Sequence, residues 1–305
     1  MPEELILHHY DFSNFSEKVR LVLGLKDRSW LSVEVPSTAP KPDLTPLIGG
    51  YRRAPVLQVG ADIYADTAII VDELERRFPE PSIYPGVSPA LVAALAAWAE
   101  RDLLRPLALH ITAVHADSFP ESFHRDRAAL HGKPAPTVEQ VRASADRNLA
   151  LARPQMARVH EMVTGSAFLF GETPSLADIV VYHPIWLLET IGGPSPLVEE
   201  RPATRAWMDR VAALGQGVPT DIAADEALNV ARAATPAEVA GEMRLPDGLA
   251  VGDPIQVSPL EERSSAEGDL LFVDDHRVVI RARHDRVGEV NVHFPRAGYR
   301  LRTAS

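Results

Sequence analysis

Residues 54–79 read APVLQVGADIYADTAIIVDELERRFP, and the order of elements within them decides the fold. Val56 to Val59 and Ile63 to Tyr64 are short apolar runs that predict strands, with Gly60, Ala61 and Asp62 as the turn between them. Ile69, Ile70, Leu74 and Phe78 then fall on helical spacing, and Pro79 stops the helix. Upstream, ELILHHYD predicts a first strand through Leu5, Ile6 and Leu7, and Val19, Leu21, Val22 and Leu23 belong to a helix. SWLSVEVP predicts a second strand closed by Pro36, and STAPKPDLTPLIGGYRRAP is a proline- and glycine-rich loop with at most a short helical turn. The order βαβ, loop, ββ, α makes a small mixed-sheet α/β domain.

From Pro89 to about Leu214 the pattern is helical, with SLADIVVYHPIWLLETIG apolar all round and therefore central to a bundle. Pro106 and Pro154 are expected to kink their helices. Thr137 and Gln140 form an approximate capping box, and residues 117–136 read as an insertion or a broken helix. The alanine-rich, acidic run that follows reads as a helix or a linker. LAVGDPIQVSPL, GDLLFVDDHRVVIRARH and GEVNVHFPRAGYRLRT are short β-like runs that predict a small barrel or sheet. The expected divisions are residues 1–84, 89–218, 219–242 and 243–305.

The chain has 305 residues, with 42 acidic against 31 basic side chains and a net charge of −11. That balance gives no general attraction to nucleic acid or to an anionic membrane surface. The tail carries nine arginines and ten acids from Arg244 to Ser305, which reads as solvated strand faces rather than an RNA-binding barrel. Cysteine is absent, so disulfides, thiolate metal sites and a protein-borne thiol redox cycle are excluded. MPEELILHHYD is acidic and too briefly apolar for a signal peptide, and no stretch reaches the roughly 18 apolar residues of a spanning helix. A cytoplasmic protein is expected. Adjacent His8 and His9 point to opposite faces of a strand, and His276, His284 and His293 lack a compact ligand spacing, so no metal site is expected.

Over roughly residues 4 to 215 the chain resembles the soluble glutathione S-transferase superfamily. The resemblance is carried by SNFSEKVRL, RRAPVLQVG, YADTAIIVDEL and TPSLADIVV, in that order. It implies a thioredoxin-like α/β domain followed by an all-α helical domain, here with a small C-terminal all-β module. It implies glutathione as co-substrate, a small electrophilic second substrate held against the helical domain, and a homodimer. By the same resemblance Ser13 is the catalytic hydroxyl that stabilises the glutathione thiolate, with Tyr10 as the rival donor. Ala54 and Pro55 would receive the cysteinyl part across a cis proline, and Asp66 and Thr67 the γ-glutamyl end. Ser175 and Asp178 would be a structural capping pair.

Simpler readings stand beside these. Ser13, Ser16 and Thr67 are residues that cap any helix, and Tyr10 suits packing at a strand end. Asn14 stands where many relatives have proline, and the insertion and the β-rich tail lie outside the family pattern. A non-catalytic binding or scaffold protein, engaging a protein partner through the C-terminal module, is the alternative function.

Overall fold

The computed structural model describes residues 4–304. The chain opens with β1 (Ile6–His9), α1 (Asn14–Leu25) and β2 (Ser29–Glu34), followed by a long loop interrupted by a 3-10 turn at Thr45–Leu47. β3 (Val56–Val59), β4 (Asp62–Ala65) and α2 (Thr67–Arg77) complete the α/β part. α3 (Pro89–Trp98) runs through a π-helical segment, Ala99–Leu104, into α4 (Arg105–Val114). Pro106 lies directly after this π-helical segment, in a helix that continues from α3 into α4. α5 (Glu121–Leu130) occupies the expected insertion; α6 (Val138–Arg142), α7 (Ala145–Met162), α8 (Leu176–Gly192), α9 (Pro196–Glu199) and α10 (Pro202–Ala212) complete the helical part. The remainder is β5 (Val218–Asp221), α11 (Ala224–Ala233), β6 (Pro254–Pro259), β7 (Ala266–Val273), β8 (Arg277–His284), β9 (Gly288–Pro295) and β10 (Tyr299–Thr303).

Helix α8 is the axis of the bundle, buried continuously from Leu176 to Ile185. Each large apolar side chain so buried contributes roughly 1.5–3 kcal/mol. Its start is fixed by Asp178, which accepts from the Ser175 N–H and hydroxyl, both at 3.0 Å. Asp178 also accepts from the Leu169 N–H at 2.8 Å and from the Trp207 indole at 3.0 Å. The carboxylate is wholly buried, and these four donors compensate its lost hydration. Through the Trp207 bond the same carboxylate ties α10 to α8 as well.

The strands form one ten-stranded sheet in the order β10-β6-β7-β8-β9-β4-β3-β1-β2-β5. In the C-terminal module β6, β7, β8 and β9 follow one another as a meander, while β10, joined to β9 by three residues, turns back to pair antiparallel with β6; β9 lies parallel on β4, pairing Asp62 with Asn291 and Tyr64 with His293. The seam is polar: Asp62 accepts from His293 at 2.9 Å, from Asn291 at 3.3 Å and from the Ala237 N–H at 2.8 Å. His293 also stacks on Tyr64 at 4.5 Å.

At the opposite edge β5 lies parallel on β2, a strand in a stretch where the sequence pattern predicts helix or linker. All four of its side chains are exposed, so no apolar periodicity announces it, and main-chain pairing alone places it. The approach to it needs glycine. Gly217 has φ +68°, and a Cβ there would lie 2.2 Å from the Arg28 carbonyl oxygen.

The sheet separates two cores. α1, α2 and the helical bundle pack on one face around Leu7, Leu57, Ile70 and Val180. On the other, Ile6, Val33, Val56 and Ile63 meet α11 through Ala227 and Leu228 and continue into Val292, Phe294 and Tyr299 of the module. Tyr51, from the long loop, is buried in this second core.

Candidate functional site

Strand register gathers the singled-out residues. His8 pairs with Val56 and Val56 with Ala65, so the residues just beyond these pairs lie at one end of the sheet. That end holds Tyr10 and Ser13 after β1, Ala54 and Pro55 before β3, and Asp66 and Thr67 after β4. The Ala54–Pro55 bond is cis.

Ser13 is the N-cap of α1. Its Oγ accepts from the Ser16 N–H at 3.1 Å, and the residue is 3% exposed. The bond satisfies one of the free N–H groups of the first turn and leaves the hydroxyl hydrogen available to an acceptor. Tyr10 is turned the other way, onto the second core, with its ring 4.9 Å from Phe12 and the Lys41 ammonium 5.3 Å from its centre. The structure therefore places the two rival hydroxyl residues on different sides of the turn.

The helical bundle grips α1 from below. The Asn14 amide nitrogen lies 2.8 Å from Nδ1 of His183 on α8. An amide nitrogen only donates, so Nδ1 accepts and the imidazole proton sits on Nε2, which is buried without a partner among the described residues. Complete burial, with the Lys18 charge second, pushes the His183 pKa well below its ordinary value and keeps the ring neutral. Ser16 is wholly buried and its Oγ is likewise unpaired among the described residues. Lys18, also buried, donates to Thr67 Oγ1 at 3.0 Å and to Glu100 at 3.3 Å, joining α1, α2 and the bundle in one contact.

Behind these residues β1 carries two more buried imidazoles. His8 bonds Gln58 at 2.8 Å, and burial lowers its pKa to about 4. His9 bonds Ser32 at 3.1 Å and Arg20 at 3.0 Å, and burial together with the Arg20 charge lowers it to about 4 as well.

The far side is gripped by the C-terminal module. Asp66 is the N-cap of α2 at φ +101°, with one carboxylate oxygen accepting from the Ala68 N–H at 2.9 Å. The other accepts from the Tyr299 hydroxyl at 2.8 Å, and Tyr299 in turn lies 2.8 Å from the Tyr51 hydroxyl. Because Tyr299 donates to Asp66, Tyr51 donates to Tyr299. Burial raises both phenol pKa values, so both remain protonated donors. Arg53 makes a two-bond pair with Glu262, at 2.9 and 2.8 Å, and one of its nitrogens lies 3.8 Å from Asp66.

Two further contacts seat the module here. The Glu267 N–H donates to the Gly49 carbonyl at 2.8 Å, and the Arg263 N–H to the Leu130 carbonyl at the end of α5 at 2.9 Å. Gly49 has φ +58°, and a Cβ would stand 2.7 Å from the Glu267 carbonyl oxygen, so only glycine allows this approach. From the other direction α5 brings Asp126, which pairs with Arg52 at 2.5 Å and accepts from the Ala39 N–H at 3.2 Å. Lys41 lies in the same loop, where burial and the charges of Arg127 and Arg52 lower its pKa to about 8 against the pull of Asp126. A cleft of about 520 Å³ runs along the outside of β10 between Leu249, Leu260 and the arginines Arg296, Arg300 and Arg302; Tyr299 is common to it and to the Asp66 network.

Sequence reasoning found Ser13, the Ala54–Pro55 turn and the start of α2. It did not single out Lys18, which lies on α1 itself, nor His183, Asp126, Glu262 or Tyr299, which reach the site from other elements across up to 248 residues of chain. Their only sequence signal is a charged or aromatic side chain, which on its own places nothing. Among the described residues no group of three or more histidine or carboxylate side chains is placed to hold a metal ion, and no helix is long and apolar enough to cross a membrane.

Comparison with known proteins adds the following. The family model for the glutathione S-transferase N-terminal domain matches residues 7–82, and that for its C-terminal domain matches residues 135–210. A GST-like protein from Pseudomonas syringae is 38% identical, with a TM-score of 0.77, over 98% of this chain and 100% of that one. Coverage of that extent includes the C-terminal module. A glutathione S-transferase from Rhodospirillum rubrum shares the fold at 21% identity and a TM-score of 0.50, over 68% of this chain and 88% of that one. One from Pseudomonas fluorescens does so at 18% and 0.52, over 70% and 98%. No curated protein matches the chain. Identity at this level over nearly the whole length, with both family domains matched in order, means that the chain belongs to the glutathione S-transferase superfamily.

Proposed function

We propose that the chain binds glutathione at this end of the sheet and presents its thiolate to a small electrophilic substrate. The observation that carries the reading is the convergence of the α1 and α2 N-termini on either side of the Ala54–Pro55 turn, with Lys18 joining them through Thr67. Helix N-termini and a buried ammonium suit a ligand with carboxylate and thiolate groups. The γ-glutamyl carboxylate would lie at Thr67 and the first turn of α2, its ammonium at Asp66, and the cysteinyl main chain along Ala54.

The sulfur would then stand at the mouth of α1, where the Ser13 hydrogen, not needed for capping, donates to it. Lowering a thiol pKa by about two units corresponds to roughly 2.7 kcal/mol, within reach of one hydroxyl donor and a helix end. The thiolate supplies the electron pair of the new carbon–sulfur bond, and the leaving group departs with the pair it shared with that carbon. The protein contributes orientation and charge stabilisation. With no cysteine in the chain, glutathione's own sulfur is the only thiol in the reaction. A cytoplasmic homodimer is the assembly that goes with this reading.

A second reading, a non-catalytic binding or scaffold protein, is favoured by one specific observation. The Ser13 hydroxyl oxygen already caps α1, and Arg53 and Asp66 already have partners in Glu262 and Tyr299. Calorimetric titration of the full chain with glutathione, followed by turnover of Ser13→Ala and Tyr10→Phe against a panel of electrophiles, separates the two. Binding with turnover lost in Ser13→Ala supports the enzyme. Absence of glutathione binding, or turnover indifferent to both substitutions, defeats it, and loss in Tyr10→Phe alone moves the donor to Tyr10.

A further inference from the structure

The charges around Asp66 do not cancel. Two carboxylates, Asp66 and Glu262, share a single guanidinium, Arg53; the Lys18 ammonium at Thr67 is paired with Glu100, and the two phenols beside Asp66 are neutral. Glu262 takes the Nε and one Nη of Arg53 in a two-bond pair, the strongest arrangement a guanidinium offers, and leaves its other Nη at 3.8 Å from Asp66.

Within its own turn the Glu262 carboxylate makes one long contact, from the Ser264 hydroxyl at 3.5 Å, and it is the main chain that seats the turn against its neighbours. The Glu267–Gly49 and Arg263–Leu130 main-chain bonds already do that. What the carboxylate adds is charge, and what Tyr299 adds is direction, since its hydroxyl fixes the Asp66 oxygen that the α2 cap leaves over.

We propose that Glu262 and Tyr299 are specificity-determining positioning residues: Glu262 holds Arg53 off Asp66, Tyr299 aims Asp66, and the surplus negative charge selects a ligand that carries an ammonium group. The inference rests on the glutathione reading above, in which that ammonium belongs to the γ-glutamyl residue. It gives the C-terminal module a direct part in ligand choice, through two residues that act on Asp66 rather than on the ligand itself.

The experiment is calorimetric titration of the full chain at pH 7 with glutathione and with glutaryl-cysteinylglycine, which keeps both carboxylates and the thiol and lacks only the amino group. Wild type binds glutathione more tightly than the deaminated analogue. Glu262→Gln weakens glutathione binding roughly tenfold and leaves the analogue unchanged, as expected when a buried charge is removed from beside an ammonium site. Glu262→Asp restores most of the preference, and Tyr299→Phe produces a smaller loss with the same ligand dependence. Equal loss for both ligands would show that the module only props the loop, and no loss for either would show that Arg53 stays off Asp66 unaided; each overturns the proposal. A wild-type chain that binds neither ligand fails earlier, at the glutathione reading, and the inference falls with it.

Discussion

The two halves of the candidate site are held by different neighbours. The α1 half, with Ser13, Asn14 and Lys18, is fastened to the helical bundle through His183 and Glu100. The other half, with Tyr51, Arg53 and Asp66, is fastened to the C-terminal module through Glu262 and Tyr299. Of the first set, His183 lies in the part of the chain that the C-terminal family model matches, and the second set lies in the tail beyond it. A site at the end of a thioredoxin-like sheet can thus be tuned from two sides independently, and the module is the side on which this chain differs from the common pattern.

The most forceful way to break that division is at Phe294. Its ring is wholly buried and packs edge-on to Tyr51 at 5.3 Å and at an angle to Tyr299 at 5.6 Å. Phe294→Ala should cost about 3–5 kcal/mol in denaturant unfolding, from lost transfer free energy and the cavity left behind. Amide exchange should speed up around Tyr51 to Arg53 while the first turns of α1 stay protected. Uniform loss of protection across both halves would mean that they are not separately anchored.

Local motifs in both halves were legible in the sequence, and the contacts that hold either half in place were not. Ser13, Pro55, Asp66 and Ser175 sit in short motifs whose meaning is local: a cap before a helix, a proline before a strand. Apolar periodicity likewise gave the α/β start, the central helix and the β-rich tail. The Tyr51–Tyr299–Asp66 chain and the Arg53–Glu262 pair have no local signature, because neither partner's neighbours in sequence say what lies across the fold. The attachment of β9 to β4 was hidden for a related reason: the pairing is main-chain, and Asp62, Asn291 and His293 resemble turn and surface residues until they are brought face to face. β5, fully exposed, carried no pattern at all.

Acid should sharpen the comparison next. His8 and His9 are buried behind the α1 half, each with its pKa lowered from 6.5 to about 4. The unfolded chain takes up protons on these residues below pH 6.5, whereas the folded chain does so only near pH 4. The stability contributed by their neutral burial is therefore complete above pH 6.5 and disappears as pH falls toward 4, by about 3 kcal/mol for His8. Unfolding free energies measured from pH 7 to pH 4 should show this decline, and His8→Gln should make it shallower. An unchanged slope in that variant would remove His8 from the acid response.

A smaller effect isolates the grip of the bundle on α1. Asn14→Ala deprives His183 Nδ1 of its donor in a site without water contact, which should cost about 2 kcal/mol. The contacts on the Asp66 side should be untouched by it. If amide protection around Tyr51 and Asp66 fell as well, coupling through Lys18 and Thr67 would join the halves more tightly than their separate anchors suggest.

The mildest test turns on two serines three residues apart. Ser13 caps α1, so Ser13→Ala should lower stability by about 1 kcal/mol, the ordinary value of an N-cap. Ser16 looks equivalent in sequence, yet its hydroxyl is buried and unpaired among the described residues. Removing an unpaired buried hydroxyl recovers the desolvation cost it imposes, so Ser16→Ala should raise stability by up to about 1 kcal/mol. Opposite signs from neighbouring serines, read in the same denaturant titration, would follow directly from which oxygen receives the Ser16 N–H. A loss in both would mean that Ser16 has a partner in solution, and the interior of the α1 turn, next to His183 Nε2, would then have to hold a polar group that satisfies both.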